Sequence, residues 1–542
     1  MIKSLKNKDN IISLILIAIV STLVIIGLIF HEPWFDEAQA YLIARDASWH
    51  DIFFFWPHYE GHPPLWHIIL KLAIKLGLPY ELTIKAINFL FFEAVLFLIE
   101  FRSPFSRITR TLIPLSYFLL YQYSVISRPY ILLMLSVLLT AMLYKDRYNK
   151  PVVYCFSLIF MCSLHSYGIA FAGGIVIADL LSEAFHKHSI KKCIMNVISN
   201  KKLLISYVIL LTIAVFLIIN IIPRSDTYAS EDISIKKHSY LFCLLLSFLF
   251  IPSETLITSY SSDVYLMQSE INPLYETLTA ALFSLMLWIC LFFIGKKRKM
   301  LIEIFIPFLF ISILTSIYVA PHHFGIFLMY LIYILWISLD KEKIKTEIIA
   351  QIFEKAKISL KLAKIIMFGA AMIFSSINLY WSGCCYYTDF NSAYYPSKDL
   401  AKWIKSKNLT DKKFLAEWYI YPIGQCITAN PYFDHIFYYG PFDSYSFITH
   451  ILPSEEEKKE EIARIRSKGN PDFIICNNPF FTHEICEELN IKAEYTAVAY
   501  SLPASRVFKD RKETLDIYIV CTNETYKELY GKDYKVPTFE RK

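Results

Sequence analysis

The chain has 542 residues, of which 55% are hydrophobic and only 19% are charged. Soluble domains carry roughly 25% charged residues, so this composition excludes an ordinary soluble enzyme and a disordered scaffold. Apolar runs of about 20 residues predict instead that most of the chain lies in a lipid bilayer. The formal net charge of +6 is too small to indicate a nucleic-acid partner.

The first predicted membrane-spanning helix covers residues 11–30, which contain no charged residue and no proline. A helix of this length spans about 30 Å, which is enough for one crossing. Lys3, Lys6 and Lys8 precede it, so the N-terminus is predicted to be cytoplasmic. Ten further spans are predicted at about 82–101, 111–127, 129–144, 152–165, 168–184, 203–222, 273–294, 301–320, 323–339 and 360–381.

The basic loops set the predicted topology, because loops rich in Lys and Arg stay on the cytoplasmic side. With 11 spans every basic cluster is cytoplasmic and residues 382–542 are external. These clusters are Arg102/Arg107/Arg110, Lys145/Arg147/Lys150, Lys187/Lys191/Lys192/Lys201/Lys202, Lys296–Lys299 and Lys341–Lys364. The stretch 64–79, which contains Lys71 and Lys75, is predicted to be a helix on the external membrane surface. Residues 224–272 are predicted to form one external segment with a short apolar helix at 241–252.

The tail from residue 382 has a different pattern. Apolar alternation at 413–418, 472–476, 494–500 and 514–521 predicts strands, and 397–407 and 454–468 predict helices. The predicted fold is therefore a polytopic α-helical membrane domain (1–381) followed by an external soluble α/β domain (382–542). We expect a multi-pass protein of the plasma membrane with an extracellular or periplasmic tail. If the tail is external, some of its six cysteines can form disulfides, which the sequence does not pair.

The first external loop carries two consecutive acids, Asp36 and Glu37. Neighbouring residues on a helix point about 100° apart, so these carboxylates cannot share one proton as a pair. We expect that one faces a cleft and that the other holds a partner or orients the loop. The alternative is a capped surface helix, with Pro33 at its start and acids favoured by the helix dipole.

Further polar groups recur at the predicted external ends of the spans. They are His58, His62, Arg128, Tyr130, His165, Tyr167, His322 and His323. Each alone is also typical of an interfacial anchor, but ionisable groups at membrane depth are costly and usually serve a ligand or partner. The histidine spacings match no standard zinc pattern, so no metal ligands are assigned.

An external cleft with acids, an arginine and aromatic walls suits a substrate with three parts. The lipid tail would lie in the membrane, a phosphate at the interface and a polar head outside. The planar guanidinium of Arg128 can bind a phosphate, and the histidines can add hydrogen-bond donors. These residues therefore favour a polyprenyl-phosphate sugar as the substrate.

The ordered motifs resemble the membrane glycosyltransferases with a GT-C fold, in particular the family 39-like group. That group includes protein mannosyltransferases and the aminoarabinose transferases of lipid A. The resemblance rests on Trp34-Phe35-Asp36-Glu37-Ala38, Gly61-His62-Pro63-Pro64-Leu65, Arg128-Pro129-Tyr130, His165-Ser166-Tyr167-Gly168 and His322-His323. It covers residues 10–185 well and 270–340 weakly. His62 stands where some family members have lysine.

The resemblance implies an inverting transfer of a sugar from a polyprenyl phosphate to an external acceptor, which is a glycan, a lipid or a protein. Asp36 matches the position of the general base, and Glu37 would help bind the acceptor or place Asp36. By chemical inference, Arg128 and the paired histidines would stabilise the leaving phosphate. Some members of the family use a divalent metal and others do not, so the resemblance does not decide whether this chain binds one. No nucleotide-binding site is expected, because the sugar donor is a lipid.

Two other classes of protein stay open from the sequence. A transporter or flippase of lipid-linked saccharides also has many spans, but it usually binds substrate near the midplane and often has repeated halves. Here the polar groups gather at predicted external ends and no repeat is visible. In a non-catalytic assembly or adhesion protein, the acids of the first loop would have no role.

Overall fold

The computed structural model describes residues 2–186, 189–227, 238–261, 273–340, 360–416, 426–440, 443–479 and 482–535. Its helices, in chain order, are α1 (Ile2–Phe30), α2 (Phe35–Asp46), α3 (Trp49–Phe54), α4 (Pro57–Glu60), α5 (Leu65–Ile74), α6 (Tyr80–Phe97), α7 (Arg107–Leu112), α8 (Tyr130–Leu143), α9 (Pro151–Cys162), α10 (Ser166–His186), α11 (Ile190–Ser199), α12 (Lys201–Ile221), α13 (Tyr240–Leu249), α14 (Ile251–Leu256), α15 (Leu274–Arg298), α16 (Leu301–Ile317), α17 (Gly325–Asp340), α18 (Leu360–Asn391), α19 (Ser397–Ser406), α20 (Glu455–Ser467), α21 (Thr482–Glu488) and α22 (Asn523–Tyr530).

Six helical segments among the described residues are long and apolar enough to cross a membrane. They are Lys8–Phe30, Tyr80–Arg102, Ser166–Phe185, Lys201–Ile221, Leu274–Arg298 and Pro321–Asp340. Four shorter apolar helical segments are Leu65–Ile74, Pro151–Cys162, Tyr240–Leu256 and Leu301–Ile317. These are the helices of a membrane-embedded protein. The predicted count of 11 spans is not confirmed, although helices occupy every predicted position except 111–127.

The predicted span 111–127 is not one continuous helix. Helix α7 ends at Leu112, two residues before Pro114, and the chain continues through turns and a π-helical segment at Phe118–Gln122. Side chains replace the missing helical hydrogen bonds: the Asn88 amide donates to the carbonyls of Tyr123 (3.1 Å) and Ser124 (2.8 Å). Irregular backbone at membrane depth is tolerated when protein groups satisfy it in this way.

The helical region packs around α17, most of whose residues are buried. Helices α10 and α16 approach closely at Gly174. A side chain at this position would not fit, since its Cβ atom would lie 2.6 Å from the Cα of Pro307. The outer helices leave large apolar side chains exposed, for example Phe156 (69%), Leu211 (65%) and Ile373 (63%). Exposing such apolar surfaces to water costs free energy, whereas contact with lipid does not.

The C-terminal region forms a mixed five-stranded sheet in the order β2-β1-β3-β7-β4, with a separate hairpin of β5 and β6. The strands are β1 (Phe414–Ala416), β2 (Tyr438–Tyr439), β3 (Phe473–Cys476), β4 (Ala497–Leu502), β5 (Ser505–Phe508), β6 (Arg511–Thr514) and β7 (Ile517–Cys521). Strand β1 is parallel to β2 and β3, whereas β7 is antiparallel to β3 and β4. The predicted α/β character of the tail is confirmed.

The predicted domain boundary at residue 382 falls inside α18, which continues to Asn391. Its last turns are polar and aromatic, so their hydropathy resembles that of a soluble tail. They are nevertheless anchored to the membrane domain, because the Phe390 ring lies 4.7 Å from that of Phe30. Among the ten cysteines that the structure describes, none forms a disulfide.

The first loop and the C-terminal domain share one apolar core, in which Leu42, Ile52 and Trp56 belong to the same cluster as Trp403 and Phe473. Two hydrogen bonds link Gln39 to the backbone of Ile448: its amide donates to the carbonyl (2.7 Å), and its oxygen accepts from the N–H (3.0 Å). The first loop and the domain therefore lie at the same end of the helical region.

Candidate functional site

The candidate site begins where the first helix ends. Helix α1 stops at Phe30, and Pro33 lies in the short connection before α2 starts at Phe35. The carboxylate of Glu37 accepts a hydrogen bond from the backbone N–H of Trp34 at 2.7 Å. An acid in the first turn of a helix is favoured by the exposed N–H groups and the dipole there. This local pattern places Asp36 and Glu37 at the start of α2.

Glu37 is 1% exposed and both of its carboxylate oxygens are occupied. Oε2 also accepts from His31 Nε2 (3.0 Å), and Oε1 accepts from the backbone N–H of Ser127 (2.6 Å). Burial raises the pKa of this carboxyl, but His31 and the two backbone donors outweigh burial and hold it below the usual range. Of the two roles expected for Glu37, this geometry favours placing Asp36 and the loop.

His31 joins the first loop to the end of α18. Its Nδ1 lies 3.4 Å from Asp389 Oδ2, and that carboxylate accepts a hydrogen bond from Tyr121 at 2.8 Å. Burial opposes protonation, but the two flanking carboxylates, Glu37 and Asp389, raise the pKa of His31 to about 9. The ring is therefore a buried cation near neutral pH, and it ties together three segments that are distant in sequence.

Asp36 differs from its neighbour because its side chain is 25% exposed. Its Oδ2 lies 2.7 Å from Arg128 Nη1, which makes a direct ion pair between the first loop and the start of α8. Arg128 reaches this position because the irregular segment before it ends at Pro129, immediately ahead of α8. The two acids thus have separate surroundings, one partly open and one closed.

Arg128 also contacts a histidine and two aromatic rings. Nη1 donates to His322 Nε2 at 3.2 Å, and the guanidinium carbon lies 5.5 Å from the ring centre of Trp34 and 5.1 Å from that of Tyr130. Aromatic faces attract a guanidinium and hold it in place. We call the group of side chains around this residue the Arg128 cluster. Its members are Trp34, Asp36, His62, Arg128, Tyr130, His165, His322 and His323.

The histidines of the cluster are joined through His165. Its ring centre lies 4.4 Å from that of His62, 5.2 Å from that of Tyr130 and 5.7 Å from that of His323. The Nδ1 of His165 accepts from the backbone N–H of Tyr167 (3.2 Å). Among the described residues, its Nε2 and the Nδ1 of His62 are buried without a hydrogen-bond partner. Buried polar atoms are rarely left unpaired, so these two nitrogens favour a ligand here.

The positive charge of the cluster lies on Arg128 and not on His62. Burial, followed by the positive charge of Arg128, lowers the pKa of His62 to about 3. This ring is therefore neutral at physiological pH, and one of its nitrogens carries a proton that it can donate. A cluster of this kind can hold an anion through one permanent cation and several hydrogen-bond donors.

The structure brings together most of the residues singled out from the sequence. Those in the cluster or in ring contact with it are Asp36, His62, Arg128, Tyr130, His165, Tyr167, His322 and His323. His58 has no such contact among those described; its Nδ1 lies 2.8 Å from the carbonyl oxygen of Ile222 at the end of α12. This contact links His58 to the end of a long apolar helix, and its prediction as a substrate-binding residue stays a prediction.

Two residues near the cluster were not assigned from the sequence. Glu60 is hydrogen-bonded to Gln39 (3.0 Å), and burial, together with the negative charge of Asp36, raises the pKa of its carboxyl. Its position two residues before His62 was an available signal. The other is Arg506 of β5, which lies over the ring of Trp34. The sequence carried no signal for a contact so distant along the chain.

A divalent metal does not fit the cluster well. Asp36 already pairs with Arg128, and the neighbouring groups are imidazoles and a guanidinium rather than further carboxylates. Within the described ranges, no group of three or more His, Cys, Asp and Glu side chains has an arrangement that could hold a metal ion. The oxygen-rich environment that Mg²⁺ or Ca²⁺ prefers is not formed around Asp36.

Fold and site define a helical membrane protein with an acid–arginine–histidine cluster at one end of its helices, beside an α/β domain. No protein-family model and no curated protein matches this sequence. Its function is therefore argued from the cluster itself.

Proposed function

We propose that this protein is an inverting membrane glycosyltransferase, which moves a sugar from a polyprenyl phosphate to a hydroxyl of a glycan, lipid or protein acceptor. The observation that carries the proposal is the contact between the partly exposed Asp36 and Arg128. Both residues belong to the Arg128 cluster, which includes several histidines and lies at one end of the helical region. A base and an anion-binding cation are the two groups that this transfer requires.

Each group has a definite task in the proposed reaction. The acceptor oxygen forms a bond to C1 of the sugar while its proton passes to Asp36. The bond from C1 to the phosphate oxygen breaks, and polyprenyl phosphate leaves with the electron pair. Arg128 and hydrogen bonds from His62 or His165 stabilise the charge that grows on the phosphate. The two unpartnered imidazole nitrogens support this assignment.

The 2.7 Å contact between Asp36 and Arg128 must open before transfer. In an inverting reaction the acceptor oxygen, C1 and the phosphate oxygen lie in line, with the base on one side of the sugar and the cation on the other. No sugar fits between two groups in direct contact. A bound phosphate would compete with Asp36 for Arg128, so donor binding would release the carboxylate as a base.

The proposal includes the predicted topology of 11 spans, a cytoplasmic N-terminus and an external site in the plasma membrane. It is supported by the shared core of the first loop and the C-terminal domain, because both belong to the external side in that topology. An external site needs a donor that arrives through the membrane, which a lipid-linked sugar does.

The proposal is tested with purified protein in liposomes and a panel of polyprenyl-phosphate sugars. We expect one donor to be consumed only when an acceptor-containing membrane extract is added, with stoichiometric release of polyprenyl phosphate. Protein-free liposomes give the background. If the protein instead moves lipid-linked sugar between leaflets without breaking the sugar–phosphate bond, it is a flippase and the proposal fails.

A further inference from the structure

We propose that helix α11 lies on the membrane surface and that the lysines on it and just after it bind the headgroups of anionic phospholipids. This surface is at the end of the helical region opposite the Arg128 cluster, so the inference does not depend on the proposed function. The partner is a lipid surface, which the protein recognises through an apolar helix face and a basic groove.

Helix α11 connects the far ends of two long helices. Helix α10 begins at Ser166, next to His165 of the Arg128 cluster, and has 21 residues. Helix α12 also has 21 residues, and the carbonyl of Ile222, just after it, contacts His58 of the first loop. A helix of this length spans about 30 Å, so α11 lies about one membrane thickness away from the cluster.

One face of α11 is apolar and is not covered by the protein. Ile190, Ile194 and Ile198 recur every four residues, and they are 69%, 52% and 51% exposed. Side chains with this spacing share one face of a helix. Exposing this face to water costs free energy, whereas an amphipathic helix that lies on a bilayer buries such a face at the acyl-chain boundary.

The start of α12 provides lipid next to this apolar face. Only Asn200 separates α11 from α12, and its backbone (φ −91°, ψ 89°) interrupts the helix. Ile205 and Ile209, which follow in α12, are exposed within a segment that is long and apolar enough to cross a membrane. Helix α11 is therefore attached where α12 enters the bilayer, and lipid is the occupant that fits its apolar face.

The charge of this segment favours anionic lipid. The chain contains no acidic residue between Glu183 and Asp226. The exposed lysines of α11 and of the start of α12 are Lys191, Lys192, Lys201 and Lys202. Lysines on an amphipathic helix and beside the end of a membrane span are attracted to anionic headgroups, and this attraction is absent for zwitterionic lipid of no net charge.

Two of these lysines share a groove with other hydrogen-bonding side chains. The groove has a volume of about 570 Å³, and its polar walls are Tyr148, Asn196, Ser199, Asn200, Lys201 and Lys202. Asn196 belongs to α11, and its amide also donates to Glu183 Oε1 at 2.9 Å. A phosphate has several acceptor oxygens, which suit ammonium, amide and hydroxyl donors. The groove therefore fits the headgroup of one phospholipid whose acyl chains lie in the bilayer around α12.

The experiment measures hydrogen exchange of the full-length protein in nanodiscs that hold one copy each and contain either phosphatidylglycerol or phosphatidylcholine. We expect the backbone amides of α11 to exchange about 5-fold or more slowly in phosphatidylglycerol. Lys201→Gln/Lys202→Gln should lose most of this difference, because each lysine near the surface contributes to the attraction, and Lys201→Arg/Lys202→Arg should keep it. Lys459→Gln/Lys492→Gln removes the same charge from exposed positions of the C-terminal domain and is the matched control.

Three outcomes would overturn this proposal. The first is equal exchange of α11 in the two lipids, or an unchanged difference in Lys201→Gln/Lys202→Gln. The second is protection that inorganic phosphate reproduces in phosphatidylcholine nanodiscs, since the groove would then bind the free anion and not a lipid headgroup. The third is protection only in nanodiscs with two copies, which would make α11 an interface between copies of this chain. Exchange of the β3 amides reports folding, and if the double variant does not fold, Lys201→Gln and Lys202→Gln alone decide the question.

Discussion

Asp36 and Arg128 form an ion pair of 2.7 Å that joins the loop after the first helix to the start of α8. The carboxylate is 25% exposed and the guanidinium side chain 10%. Burying an ion pair costs desolvation free energy unless further contacts support the two charges. Here His322, Trp34 and Tyr130 surround the arginine. The pair is therefore held in place by several neighbouring groups and is not an isolated surface contact.

Replacing Arg128 by lysine tests its proposed role as a phosphate ligand. Lysine keeps the charge but loses the planar guanidinium, whose Nη1 contacts both Asp36 and His322. We expect binding of a prenyl phosphate to weaken by about 10-fold, and by more in Arg128→Gln, because charged hydrogen bonds contribute about 1.5–3 kcal/mol each. Titration of the nanodisc-embedded variants measures this. Equal affinity in the wild type and Arg128→Gln would remove Arg128 from the donor site.

His58 provides a contrast to the cluster histidines. It lies against the carbonyl of Ile222, whereas His165 is in ring contact with His62 and Tyr130. We therefore expect His58→Ala to retain prenyl-phosphate binding within about twofold, and His165→Ala to lose several-fold, since a hydrogen bond to a charged group contributes more than 1 kcal/mol. Binding of the prenol controls for general damage. The reverse order of the two variants would contradict the assigned geometry.

The buried His31 predicts a pH dependence of stability. Its pKa is raised from 6.5 to about 9, so its contribution is fully present below pH 6.5 and is lost as the pH rises through 9. The shift corresponds to on the order of 3 kcal/mol. We expect the difference in thermal midpoint between the wild type and His31→Gln to shrink between pH 6.5 and 9.5. A difference that does not change over this range would contradict the buried cation between Glu37 and Asp389.

Much of the architecture could be predicted from the sequence because it depends on local patterns. Apolar runs gave the helices of the membrane region, and period-two alternation gave four strands of the sheet, including β3 and β7. The failure at 111–127 has a physical reason: Pro114 breaks the helix, and Asn88 and Asn378 satisfy the freed backbone from other helices. That compensation is tertiary and leaves no pattern in the local sequence.

The same distinction applies to the site. Asp36, Arg128 and His322 stood out individually because charged and polar groups at span ends are unusual. The contact between these residues depends on how α1, α8 and α17 pack against one another, and so does the buried environment of Glu37. The hydrophobic periodicity of the sequence does not predict this packing. Arg506 could not be found in advance, since its approach to Trp34 requires the docked hairpin of a domain that begins after α18.

The measurement that tests the central claim most directly is acceptor-dependent release of polyprenyl phosphate by Asp36→Asn, alongside donor binding. Asp51→Asn, a neutralised carboxylate of the same loop at the start of α3, is the matched control. We expect Asp36→Asn to lose about 10²–10⁴-fold in transfer, as for a missing general base, while binding donor as tightly as the wild type or more tightly because nothing competes for Arg128. Transfer by Asp36→Asn at the wild-type rate would contradict the assignment of Asp36 as the base.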